Sequence, residues 1–146
     1  MERKKIMSTK IKPELSKKNP HYISKYRFYE LRNHCLQYFE WKAALKAADG
    51  YNRRSRFIVV EPNEDMLQDS YVEKAVITRE DLQVRIHTIE LAAELTDKEL
   101  APWILKGVTI PASYEYLSLK LNIPCSRDTY YKRYRKFFCI LDKLRG

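Results

Sequence analysis

The sequence predicts an all-α fold: a helical bundle with a C-terminal helix-turn-helix and a flexible basic N-terminal arm. Three observations lead there. Only three glycines and six prolines interrupt 146 residues, and the strong helix formers Leu, Lys, Glu, Ala and Arg are plentiful. Apolar residues recur at three- and four-residue intervals in several segments, the spacing that lines one face of a helix. Ser, Thr and Asn stand where such segments begin or end, as caps should. With 45% hydrophobic and 32% charged residues, the chain can build a core, and its length suits one domain over 21–146 after an arm over 1–20.

Taken in order, residues 1–20 are rich in lysine, include Pro13 and Pro20 and show no period, which describes an arm that orders only on docking. From about Tyr22 a helix is expected, because Phe28, Leu31, Cys35 and either Tyr38 or Phe39 share a face. Trp41 to Ala48 continues it, and Asp49-Gly50 should stop it. Phe57 to Val60 reads as a short strand and Glu61-Pro62-Asn63 as a turn, with 64–77 as a candidate helix. Thr78 and Asp81 make an N-cap pattern. The helix after them carries Leu82, Ile86, Ile89 and Ala93 on one side and Val84, Leu91 and Leu95 nearly opposite. A helix apolar on both sides is covered on both, by its own domain or by a second copy, so a homodimer through Leu82 to Leu95 is open. Thr96 and Glu99 form another capping box, opening a helix through Leu100, Trp103, Ile104 and Leu105 that Gly107 should end.

The helix-turn-helix is expected at 113–145. Tyr114, Leu117 and Leu121 line its first helix, and Asn122 tolerates the left-handed backbone that ends one. Ser126 is a good N-cap for a helix starting at Arg127. There Tyr130, Tyr134, Phe137, Leu141 and Leu144 are spaced 4-3-4-3 as a buried stripe, which sends Asp128, Lys132, Arg135, Lys136 and Lys143 to the solvent side. Arg127, Thr129 and Tyr131 sit at the N-terminal turn, the part that enters the major groove in this motif. Leu117, Ser118, Leu121, Asn122 and Ile123 match the common helix-turn-helix pattern with Asn in place of Gly. Thr129 comes two residues late, so the turn should be longer than usual. An ordinary amphipathic hairpin with a charged outside is the plainer reading of the same residues.

Charge favours a polyanionic partner. The net charge is +9 at pH 7. Residues 1–27 hold nine Lys/Arg against two acids, residues 61–100 four against eleven, and residues 127–146 seven against two. The expected DNA contacts are Arg127, Thr129, Tyr131, Lys132, Arg133, Arg135 and Lys136, with phosphate contacts from the arm through Lys4, Lys5, Lys17 and Lys18. Arg can form bidentate hydrogen bonds to guanine, while Lys and Tyr can grip phosphates.

Four stretches carry a resemblance. They are His21-Tyr22-Ile23-Ser24-Lys25-Tyr26-Arg27-Phe28-Tyr29-Glu30-Leu31, Cys35-Leu36-Gln37-Tyr38, Ile104-Leu105-Lys106-Gly107-Val108-Thr109 and Ile123-Pro124-Cys125-Ser126-Arg127-Asp128-Thr129-Tyr130-Tyr131. In these the chain resembles small basic helix-turn-helix proteins from prophages and mobile elements of Gram-positive bacteria, with residues 50–77 outside the match. The resemblance implies a phage transcriptional regulator whose terminal helices are like region 4 of sigma factors.

Other chemistry finds little footing. Cys35, Cys125 and Cys139 form no CxxC pair, which argues against a disulfide framework and for a reducing cytoplasm. The start, Met1-Glu2-Arg3-Lys4-Lys5, is followed by no apolar stretch of signal-peptide type, and Phe57 to Val60 is too short to span a bilayer. His21, His34 and His87 lack metal-ligand spacing, and no glycine-rich phosphate loop exists. Glu61, Glu64, Asp65 and Asp69 read as a solvated acidic face rather than a metal nuclease. No enzyme activity, metal, cofactor or membrane is expected.

The expected function is double-stranded DNA binding by a cytoplasmic transcriptional regulator of phage or mobile-element type, with RNA polymerase or another phage or host protein as a further partner. Two rivals remain. One is a small-terminase-like DNA-recognition subunit. The other is a protein-binding phage inhibitor of a host nucleic-acid enzyme, anti-CRISPR-like, whose acidic middle segment mimics nucleic acid.

Overall fold

The computed structural model of the chain describes residues 19–51, 57–60, 75–110 and 112–146. They are mostly helical, with six helices and one two-stranded sheet. The chain divides into two compact units, 1–36 with 88–146 and 37–87, where one domain is expected from its length. The boundary between 87 and 88 falls within an 18-residue helix.

In the unit spanning 37–87, α2 (Tyr38–Tyr51) is followed by β1 (Phe57–Val60), β2 (Ala75–Thr78) and the start of α3 (Arg79–Thr96). β1 and β2 pair antiparallel with Phe57 opposite Thr78 and Val60 opposite Ala75. The strand expected at Phe57 is therefore present. The helix expected over 64–77 is corrected at its end, where the β-branched run Val76-Ile77-Thr78 is extended, as such residues prefer. Residues 61–74, with the four clustered acids, lie outside the described part. Tyr38, Trp41, Ile77, Leu82 and Ile86 are buried. The Arg85 guanidinium stands 5.4 Å over the Trp41 ring, and Arg79 pairs with Asp49. The Thr78 cap holds, its hydroxyl accepting from the Asp81 N–H at 3.1 Å.

The other unit contains α1 (Lys25–Leu36), the remainder of α3, α4 (Ala101–Thr109), α5 (Tyr114–Leu121) and α6 (Arg127–Arg145). α4 packs against α1, α5 and α6, and α1 packs against α6. Phe28, Leu31 and Cys35 bury the expected face of α1. The single helix expected from Tyr22 is instead two, broken at Gln37, and no local glycine or proline explains the break. Gly50 lies inside α2 rather than ending it.

Three further expectations change. Thr96 does not cap α4, because its hydroxyl turns back to donate to the Ala92 carbonyl at 2.7 Å. α4 has no side-chain cap: Leu100 stands at its N-cap with Pro102 in the first turn, while Asp97 closes the turn ahead of it by accepting from the N–H groups of Glu99 and Leu100 at 3.0 and 3.1 Å. On α3, Leu82, Ile86, Ile89 and Ala93 are buried, while on the second side Leu91 is half-buried and Val84 and Leu95 are 61% and 53% exposed. Leu144 is also exposed, one turn past the core, while Phe138 and Cys139 join the buried set of α6.

Gly107 does not end α4 but lies within it, buried. A Cβ there would fall on the phenol oxygen of Tyr130, 3.1 Å from its Cζ and 3.4 Å from Leu117 Cδ1. The glycine is present because α4 and α6 approach too closely for a side chain. Tyr130 is itself 1% exposed, and its hydroxyl has no hydrogen-bond partner among the described residues.

Gly107→Ala should therefore destabilise the protein by about 1–2 kcal/mol through overpacking, although alanine in an open helix would gain about 1 kcal/mol over glycine. Tyr130→Phe should be close to neutral, because the lost hydroxyl was desolvated without a partner. Combining the two should restore most of the loss. Urea unfolding of the three variants checks this, and a stabilising Gly107→Ala would contradict the close approach.

Candidate nucleic-acid interface

The segment from Ser113 to the middle of α6 is built from local signals that agree with one another. The Ser113 hydroxyl accepts from the Tyr116 N–H at 3.2 Å and caps α5. Asn122 ends α5 at φ 53° and ψ 48°, with its N–H on the Leu117 carbonyl. That left-handed geometry disfavours most side chains and suits Asn. Five residues, 122–126, then separate the helices, more than the three or four of a usual helix-turn-helix. Ser126 caps α6 by accepting from the Thr129 N–H at 3.3 Å.

Tertiary bonds fix this pair onto α4. Trp103 Nε1 donates to the Leu121 carbonyl at 2.7 Å, satisfying a C-terminal acceptor of α5. The Tyr114 hydroxyl donates to the Cys125 carbonyl at 2.6 Å, and the Tyr131 hydroxyl accepts from the Tyr114 N–H at 3.3 Å. Below them runs a chain of aromatic rings. Tyr130 meets Tyr114 and Tyr134 at 6.0 Å, Tyr134 meets Phe138 at 5.0 Å, and Phe138 meets Phe28 of α1 at 5.0 Å. Burial pushes the Tyr134 phenol up to about 12, against an opposing hydrogen bond from Arg32. Burial also pushes Tyr130 well above its ordinary value. Both rings therefore stay neutral at physiological pH.

The expected contact residues are not all on one free face. Arg127 and Lys132 are exposed. The Arg127 guanidinium bonds Glu115 Oε1 at 2.6 Å and lies 5.6 Å from the Tyr131 ring centre. Thr129 is half-buried, its Oγ1 bonded to Ser126 at 3.0 Å, and Tyr131 is half-buried among rings. Arg133 is held by Asp97 Oδ2 at 3.0 Å. Arg135 and Lys136 are half-buried rather than on the open solvent side, and the Arg135 Nε is buried without a partner among the described residues.

The covering of this side continues toward the C-terminus. Arg27 of α1 pairs with Asp142 at 2.5 Å, and the Cys139 thiol lies 3.8 Å from the Pro20 carbonyl. Lys143 remains exposed beyond it. Asn19 and Pro20, expected in the arm, form a turn instead, the Tyr22 N–H reaching the Asn19 carbonyl at 3.0 Å. Lys4, Lys5, Lys17 and Lys18 lie outside the described residues.

Glu115 is the site residue that sequence reasoning missed. It lies twelve residues before Arg127 on another helix, and no spacing rule pairs the two. Lys120, exposed in the last turn of α5, is a further cation of the helix pair. All three cysteines are free. Among the described residues, no three His, Cys, Asp or Glu side chains gather as a metal site would require. No helix among them is long and apolar enough to cross a membrane. No family model, curated protein or solved structure matches this chain.

Asp97 couples the entry of α4 to α6. Desolvation pushes its carboxyl up, but the Leu100 N–H, the Arg133 guanidinium and the Glu99 N–H outweigh this and leave it below its ordinary value. A depressed carboxyl stabilises the fold above the unfolded value of about 3.9 and loses that contribution as pH falls through the folded one. Asp97→Ala should cost about 1–2 kcal/mol at neutral pH, from two hydrogen bonds to turn N–H groups and a partly exposed ion pair. In thermal melts, the gap between wild type and variant should narrow below about pH 4. A gap unchanged to pH 3 would contradict the role given to the ionised carboxylate.

Proposed function

We propose that this protein binds double-stranded DNA through the N-terminal half of α6, as a transcriptional regulator of phage or mobile-element type. The observation that carries the reading is the α5–turn–α6 pair itself. It is capped at Ser113, Asn122 and Ser126 and packed on α4, and it holds Arg127 and Lys132 outward. Two helices braced on a third, with the second presenting its first turns to solvent, is how a helix enters the major groove. The longer turn alters the angle of entry and leaves the principle intact.

Electrostatics support the same face with fewer charges than the sequence suggested. Asp97 occupies Arg133 and Glu115 contacts Arg127. Lys132 is the exposed cation of this half-helix with no carboxylate partner among the described residues. Lys120 and the half-buried Lys136 add to the positive field. The basic segment before residue 19 supplies further charge from the sequence. The resemblance to prophage helix-turn-helix proteins points the same way.

Lys132→Glu combined with Lys136→Glu should weaken binding to any duplex at least about tenfold. It should also flatten the salt dependence by up to about 2 in slope, since each phosphate contact contributes about 0.9. The melting midpoint should move by no more than a few degrees, because neither side chain belongs to the aromatic stripe. Mobility-shift titrations at several salt concentrations measure this. A wild-type protein that retains no duplex at low salt would overturn the proposal.

A further inference from the structure

An exposed arginine ordinarily samples many rotamers and must be ordered when it binds. Arg127 is different, although 60% of its side chain is exposed. Its Nη1 donates to Glu115 Oε1 at 2.6 Å, and its guanidinium carbon lies 5.6 Å from the centre of the Tyr131 ring. The Tyr131 ring is itself held, and Glu115 is placed by a capped helix turn, its side chain 49% exposed. Tyr131 accepts from the Tyr114 backbone at 3.3 Å and meets the rings of Tyr130 and Tyr134 at 5.1 and 6.3 Å. Glu115 stands in the first turn of α5, directly after its Ser113 cap.

The consequence concerns which part of DNA this group suits. Paired with a carboxylate, the guanidinium has little net charge to offer a phosphate, and Glu115 would repel one. Its directional hydrogen bonds survive, because a guanidinium carries five donor hydrogens and Glu115 engages one nitrogen. A pre-oriented fork of donors fits the O6 and N7 acceptors that guanine presents in the major groove. Adenine offers only one acceptor there, and cytosine presents a donor.

Resting on the duplex-binding reading above, we infer that Arg127 is a base-reading residue specific for guanine and that Glu115 is its positioning residue. Fixing the side chain before binding removes part of the ordering cost that would otherwise blunt discrimination. Glu115 lowers general attraction to DNA and sharpens preference at one base pair. Lys132, without a carboxylate, supplies phosphate attraction on the same helix.

Selection from a randomised duplex pool, followed by sequencing of the retained DNA, tests this with wild type, Arg127→Ala and Glu115→Ala. Wild type should enrich guanine at one position, with a preference over adenine of about tenfold or more. Arg127→Ala should lose that preference with an unchanged salt slope. Glu115→Ala should bind non-selected duplex as well as wild type or better, yet lose several-fold of the guanine preference. Both variants should melt with wild type, since an exposed ion pair contributes little to stability. The inference is overturned if the guanine preference survives either substitution or if wild type enriches no guanine. It is also overturned if Arg127→Ala lowers the salt slope by about 1, the signature of a phosphate contact. Failure of the wild type to retain any duplex would instead bring down the DNA-binding reading itself.

Discussion

The close crossing of α4 and α6 at Gly107 and Tyr130 sets the geometry on which the terminal helices depend. With no side chain at 107, the Tyr130 ring can lie against the backbone of α4 and remain 1% exposed. From that position it also meets Tyr114, Tyr131 and Tyr134. A shift of Tyr130 would therefore disturb the first turn of α5, the start of α6 and the aromatic stripe together. Its hydroxyl finds no hydrogen bond there among the described residues. The buried phenol thus carries a polar cost that is offset by packing, since aromatic burial contributes a few kcal/mol per ring.

Seating one side of α6 leaves its polar side to be shared. α1 and the Asn19–Pro20 turn cover the later part, through Arg27 with Asp142 and Pro20 beside Cys139. Asp97 draws Arg133 toward the α3–α4 junction. What remains open is a patch on the first half of the helix around Arg127, Asp128 and Lys132. On the proposed reading, this patch makes the base-edge contacts and non-specific attraction comes from lysines elsewhere. In this account, packing decides which charges can function.

Sequence revealed what is local. Caps at Ser113, Asn122 and Ser126, the 4-3 stripe through Tyr130, Tyr134, Phe137 and Leu141, and the long turn all depend on residues close together in the chain. Contacts between distant residues were not legible. Arg27 and Asp142 are 115 positions apart and Arg133 and Asp97 are 36 apart, so Arg133 and Arg135 looked more available than they are. Gly107 shows the same limit, because a helix-ending glycine and a close-packing glycine look identical in one sequence. The capping box expected at Thr96 and Glu99 failed because α3 runs on through Thr96, whose hydroxyl turns back to Ala92. The end of the helix expected over 64–77 is a strand, because Val76, Ile77 and Thr78 are β-branched and pair with β1, which lies well before them in sequence.

The central claim is that duplex DNA meets the first half of α6. Backbone amide NMR during titration with a short duplex at low salt tests it most directly. The account predicts shift changes concentrated on residues 122–136, reversed by added salt. Shift changes confined to α2 or α3, or no change at duplex concentrations well above that of the protein, would contradict it.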